Sequence, residues 1–230
     1  MKQVKHVSLG CVLALTLAGG LGSRSVSAAT APAPLAKVSM ALAGLTSYQV
    51  DYSVRSTQNP PSIEKDVYVV LHHGSRRIDR VAAMHPSGVG DTTVIEDVIS
   101  GSRDCERYPV TAPFSCSQNP SLSASITGAV DPGRGLSGKG VSVHFHAAAA
   151  KMVAGVKCTG YAFTLHTPTE HGSGVLYVSP SVNFPCEEDA TLVGPAIGPT
   201  TAGATQTLIS TWTWRRFNDP KLKVPAVPAS

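Results

Sequence analysis

The side chains whose type and spacing could do chemistry here are a set of histidines, one acidic triplet and the cysteines. His144 and His146, two apart, would put both imidazoles on one face of a strand, half of a metal site. His72, His73 and His171 stand in turn-rich stretches, and His166 ends an alternating apolar run. A metal needs three or four converging ligands, and the spacing supplies no third. Glu187, Glu188 and Asp189 follow one another too closely to straddle a substrate as acid and base, and read as a solvated charge cluster. There is no Gly-x-Ser-x-Gly elbow, no His-Glu-x-x-His pair and no P-loop. The pattern points away from an enzyme, a metal site and a cofactor.

The cysteines point to a compartment. Lys2 and Lys5 precede an apolar stretch from Val7 to Leu21, and Val26-Ser27-Ala28 supplies the small residues of a cleavage point, so residues 1–28 read as an export signal. The apolar run is shorter than the roughly 18 residues of a membrane span. Cys11 lies before most of that run, which argues against lipid attachment there, so the expected product is secreted or extracytoplasmic and not lipid-anchored. Cys105, Cys116, Cys158 and Cys186 remain, an even number that reads as two disulfides in an oxidising compartment. Three pairings are possible. Locality favours Cys105 with Cys116 and Cys158 with Cys186, each bracketing a strand-turn-strand unit. A zinc site would want a Cys-x-x-Cys or a Cys and His pair at ligand spacing, and neither is present.

Without residues 1–28 the chain carries 16 Lys plus Arg against 15 Asp plus Glu, so the basic pI is partly a property of the leader. A near-neutral chain lacks the electrostatic footprint of a nucleic-acid binder. About 200 residues suffice for one substantial core. We read a short Pro/Ala linker over 29–34 and a single domain over 35–230.

Leu35, Val38, Leu42 and Leu45 recur at three and four, the stripe of an amphipathic helix. The period then switches to two: Tyr48, Val50, Tyr52 and Val54 alternate with Gln49, Asp51, Ser53 and Arg55. Further strands are expected over 63–71 and 76–84 around His72-His73-Gly74-Ser75, over 92–100, and around Cys105. Residues 117–140 read as a long loop with one helical turn, Asp131-Pro132-Gly133 marking a turn. Val141, Val143 and Phe145 alternate, but the alanines predict a second helix over 147–153. A hairpin over 156–166 and 174–179, a short strand over 190–193 and a last strand over 204–217 follow. Two helices against eight or nine strands with short connections predict an antiparallel sheet.

This order ends in a strand with Trp212 and Trp214, then Arg215-Arg216-Phe217-Asn218-Asp219-Pro220 and a Leu222-Lys223-Val224-Pro225 tail. With Val153-Ala154-Gly155-Val156-Lys157-Cys158-Thr159-Gly160-Tyr161 opening a hairpin, it resembles the lipoprotein-carrier superfamily of LolA and LolB, with LppX and LprG. The resemblance implies an α+β, mostly β fold: a curved antiparallel sheet, an unclosed half-barrel, with N-terminal and mid-chain helices over its concave face. It further implies a non-catalytic carrier whose partner is a lipid or lipidated protein, with a membrane surface or a protein as other partners.

The residues support a concave face independently. Side chains two apart on a strand share a face, so Leu208, Trp212 and Trp214 stand together, as do Tyr161, Phe163 and Leu165. With Leu42, Val50 and Tyr52 they form the expected lining of a lipid cavity. The same faces could instead pack a dry core, with the sheet serving as a scaffold for protein binding, and two tryptophans in a strand suit a core. Arg215 and Arg216 are either contacts to an anionic headgroup or screened charges at a strand end.

Overall fold

A computed structural model describes residues 33–57, 62–72, 78–86, 94–120, 126, 128–137, 140–195 and 204–228. The expected export signal, Cys11 and residues 29–32 of the linker lie outside them, as do His73, Gly74 and Ser75. Helix α1, Ala33–Ala43, begins inside the expected linker and buries Leu35, Val38 and Leu42. Among the described residues no helix is long and apolar enough to cross a membrane.

Among the described residues eleven strands follow: β1 Ser47–Ser56, β2 Ser62–His72, β3 Ile78–Pro86, β4 Val94–Ser100, β5 Arg103–Arg107 and β6 Ser115–Gln118 in the first half, then β7 Ser142–Val153, β8 Val156–His166, β9 His171–Val178, β10 Pro185–Pro195 and β11 Thr205–Arg215. They form one sheet in the order β6-β5-β4-β3-β2-β1-β11-β10-β9-β8-β7. Each neighbouring pair is antiparallel. The chain thus lays down a meander outward from β1, crosses through the middle region, and meanders back until β11 closes against β1. The sheet ends at β6 and β7 and is not closed into a barrel.

Three expectations fail, each for a physical reason. Residues 147–153 are strand: β7 pairs with β8 from Ser142 opposite His166 to Val153 opposite Val156. The ladder outweighs alanine's helix preference, which is worth only tenths of a kcal/mol per residue. The irregularity between Ala148 and Lys151 packs against Gly160, where a Cβ would strike the Ala149 carbonyl. Ala154 and Gly155, both at positive φ, make the tight turn into β8. The mid-chain helical structure lies instead within 117–140, the stretch expected to be a loop with one helical turn. Residues 126 and 128–130 are helical, and helix α2 spans Pro132–Gly135 with Asp131 as its N-cap. Finally, β10 runs the full length from 185 to 195, because Glu187-Glu188-Asp189 belongs to the ladder and is not an exposed cluster.

Both disulfides have the pairing that locality favours, Cys105 with Cys116 and Cys158 with Cys186. The first joins directly opposed residues of β5 and β6. The second does not bracket a single hairpin. It links β8 to β10 past the end of β9, where Val178 lies between Thr159 and Pro185.

The two faces of the sheet differ. The convex face carries ion pairs: Lys151 holds Glu187 and Asp189 and lies over Tyr177, and Arg215 holds Asp51. The tail after β11 packs Val224 against Val98 and Cys105 in a separate small cluster. The concave face holds the main core, shared by α1, β1, β2, β8 to β11 and the mid-chain residues Ile126, Val130 and Leu136.

Candidate functional site on the concave face

All nine residues expected to line a cavity fall in one apolar cluster. Leu42, Val50, Tyr52, Phe163, Leu165, Leu208, Trp212 and Trp214 are buried in it, and Tyr161 packs against it half-buried. Strand register explains why they meet. Tyr52 stands opposite Trp212 and Val50 opposite Trp214 across β1 and β11. Tyr52 and Trp212 stack at 4.0 Å between centroids, and Tyr68 lies 5.9 Å from the same indole. Phe163 lies over Gly174, a position where any Cβ would strike the ring, so the glycine leaves room for the phenyl group.

One end of this face is closed by helices. Val130 offers its carbonyl oxygen to the Trp214 indole N–H at 3.0 Å and to the Tyr48 hydroxyl at 3.4 Å. Asp131 accepts from the Ser39 hydroxyl at 2.6 Å, tying the mid-chain segment to α1. Gly133 packs on Leu35 and Ser39 with no space for a side chain. Burial raises the Asp131 carboxyl above the usual range, with Ser39 and Arg134 opposing. Tyr48 and Val50 lie at 0 % exposure at this end, whereas Trp212 and Leu208 further along the face keep 7 % and 9 %. Toward that far end the buried groups turn polar: Ser56, Gln206 and Ser210 join the apolar ones. Ser56 donates to Gln206, whose amide donates to the Pro195 carbonyl.

Two acids stand in the row of Tyr52 and Trp212. Asp66 is opposite Tyr52 and accepts from the Tyr68 hydroxyl at 2.8 Å. Glu188 is opposite Trp212 on one side and Leu176 on the other. Burial, with Asp189 next to it, pushes the Glu188 carboxyl up to about 7. The sequence reading placed Glu188 in a solvated cluster. The missed signal was parity, since Glu188 shares its face with Ala190 and Leu192, both buried.

The other chemistry-bearing residues do not gather. His144 and His146 share a face as expected, on the exposed side of β7 and paired with Thr164 and Ala162. His166 and His171 face each other across the β8–β9 turn, 6.4 Å between rings. His72 lies edge-on to Tyr48, its imidazole held below its ordinary value by burial. Among the described residues no three His, Cys, Asp or Glu side chains converge on a metal position. Arg215 and Arg216 are paired to Asp51 and Asp219 at the sheet's outer surface, away from the concave face.

No family model and no curated protein matches the chain. Among solved structures it is similar to a LolA superfamily protein from Nitrosomonas europaea, at 15 % identity over 86 % of this chain and 95 % of that one, TM-score 0.32. It is also similar to the MucA/MucB complex of Pseudomonas aeruginosa, at 12 % identity over 85 % of this chain, TM-score 0.38. The chain spans only 57 % of that matched protein. A DUF1329 family protein from Desulfovibrio piger follows at 9 % identity over 83 % of this chain and 95 % of that one, TM-score 0.32.

Proposed function

We propose that the chain is an extracytoplasmic binding protein that shelters the acyl chain of a lipid or lipidated protein against the concave face of its unclosed sheet, with no covalent step. The observation that carries this is a single one. A continuous apolar surface runs from β2 to β8, helices cover it at the Tyr48 end, and exposure and polarity rise toward Leu208 and Gln206. Sliding an acyl chain onto such a surface gains roughly 25 cal/mol per Å² of apolar area removed from water. Selectivity then comes from the few polar groups beside the apolar wall. The disulfides fit an oxidising compartment.

Native mass spectrometry of protein purified from its own host, before and after solvent extraction, tests this. A lipid-mass adduct removed by extraction is the expected result. A bare chain that also takes up no fluorescent fatty acid sinks the proposal.

A second reading has its own observation. β7 is a terminal strand of twelve residues with mostly exposed side chains, and a strand edge of that length is a template for adding a partner's strand. Slowed amide exchange along β7 on adding an extended peptide partner, with no lipid bound anywhere, would favour this reading.

A further inference from the structure

Glu188 is the one acid of the 187–189 triplet turned to the concave face, and it has 8 % exposure. Its neighbours on the same strand are both satisfied on the other face: Glu187 by Lys151, Asp189 by Lys151 and by the Thr211 hydroxyl at 2.9 Å. Among the described residues the Glu188 carboxyl makes no hydrogen bond or ion pair, and the only charge acting on it is that of adjacent Asp189. From β11 it is faced by Trp212 and from β9 by Leu176, neither of which titrates. The nearest acid in its own row, Asp66, is three strands away, about 14 Å at about 4.8 Å per strand. A largely buried carboxyl with no protein partner is costly, and the slight exposure of Glu188 leaves its oxygens a path to an incoming group.

Two further observations say what would answer it. Tyr52 on β1 stacks on Trp212 at 4.0 Å, with Tyr68 on β2 and Trp214 on the same strand at 5.9 and 6.5 Å, so the aromatic contacts come from β1, β2 and β11, while the cross-strand neighbour on β10 is Glu188. An indole face beside a carboxyl is the pairing that holds ammonium groups, by cation–π attraction and ionic attraction together. The charged residues buried among the described residues are also all acidic, namely Asp66, Glu96, Asp97, Asp131 and Glu188, and of these Glu96 is paired with Arg107 on the opposite face. No buried lysine or arginine is present there to meet a phosphate or a fatty carboxylate.

We propose that Glu188 and the Trp212 indole form the seat for a cationic group, an amine or ammonium, on the amphiphile held by the concave face. The inference rests on the acyl-sheltering reading and adds the headgroup class. The ligand class is an amino- or ammonium-headed lipid, its chain along Leu192, Leu208 and Phe163 and its cation at Glu188.

The test uses the full chain and three twelve-carbon probes, dodecylamine, dodecanol and dodecanoic acid. Each is titrated below its micelle concentration at pH 8, where Glu188 is ionised and the amine is cationic. Wild type is compared with Glu188→Gln. This variant removes a buried charge at nearly constant shape, and a cooperative urea transition is expected to show it folded. The wild type is expected to bind dodecylamine about tenfold or more tighter than dodecanol, with dodecanoic acid weakest. In Glu188→Gln the amine's advantage is expected to fall below about threefold while dodecanol binding stays unchanged. If dodecanol or the acid matches the amine in wild type, or the advantage survives in Glu188→Gln, the headgroup assignment is overturned while acyl sheltering stands. If none of the three binds, both fall.

Discussion

Glu188 and Trp212 stand directly opposite each other on β10 and β11, a buried acid and a buried indole in one row of the concave face. The row continues through Tyr52 to Asp66, so an aromatic stack lies between two carboxyls. This arrangement puts two buried acids on the concave face, and part of the chain's pH response follows from it.

The Glu188 carboxyl binds its proton more tightly in the folded chain, at about 7 against 4.5 when exposed. Stability is therefore fully present below about 4.5 and lost as pH rises through about 7, by an amount on the order of 3 kcal/mol. Asp104, half-buried and raised to about 6, adds a smaller contribution of the same sign, and His72, lowered by burial, opposes it as pH falls. Comparing Glu188→Gln with wild type isolates the Glu188 contribution. Urea midpoints at pH 5 and pH 8 are expected to differ less in the variant, which gains most at pH 8. Identical pH dependence in both proteins would show that the carboxyl is not buried as described.

Trp214 fastens the mid-chain segment through its indole N–H on the Val130 carbonyl. Trp214→Phe keeps most of the apolar area and leaves that buried carbonyl with only the longer Tyr48 contact. It is expected to cost about 1–3 kcal/mol in urea unfolding. Tyr48→Phe, whose bond is 3.4 Å, is expected to cost less. Equal costs, or none from Trp214→Phe, would remove this fastening from the account.

Asn218 in the closing Asn-Asp-Pro turn is structural. Its backbone is left-handed at φ 54°, its side chain accepts from the Thr46 N–H at 2.8 Å, and its own N–H donates to the Ser47 carbonyl at 2.8 Å. Asn218→Leu adds strain and loses the side-chain bond, so it is expected to destabilise by about 1–3 kcal/mol without changing ligand affinity. A change in affinity at unchanged stability would contradict that role.

Non-reducing peptide mapping is expected to recover Cys105 with Cys116 and Cys158 with Cys186. Removing the second pair, whose residues are 28 apart, is expected to cost roughly 3.5 kcal/mol by loop entropy. Removing the first, 11 apart, is expected to cost slightly less. Crossed pairing would overturn the placement of β8 against β10.

The legible parts of the fold were those where local period and burial agree. The α1 stripe and the Tyr48–Val54 alternation read directly, because a single buried face imposes its period on the sequence. Residues 147–153 misled because alanine carries little face information, and pairing with β8 decides the state of an exposed edge strand. Asp131-Pro132-Gly133 read as a turn because the helix it starts lasts four residues and is held by Ser39, 92 residues earlier. The nine residues expected to line a cavity were legible as members of one apolar cluster. Glu188 was not, because a run of three acids looks solvated unless its middle member is assigned to the buried side of a strand.

The central claim is that the concave face takes an acyl chain, and the protein carries its own reporter for it. Its two tryptophans, Trp212 and Trp214, both lie on that face. The most direct measurement is their fluorescence during titration with a bromine-labelled monoacyl lipid below its micelle concentration. The account predicts saturable quenching that is stronger for Trp212, read in Trp214→Phe, than for Trp214, read in Trp212→Phe. Quenching that is absent, or that grows linearly without saturation, would contradict it.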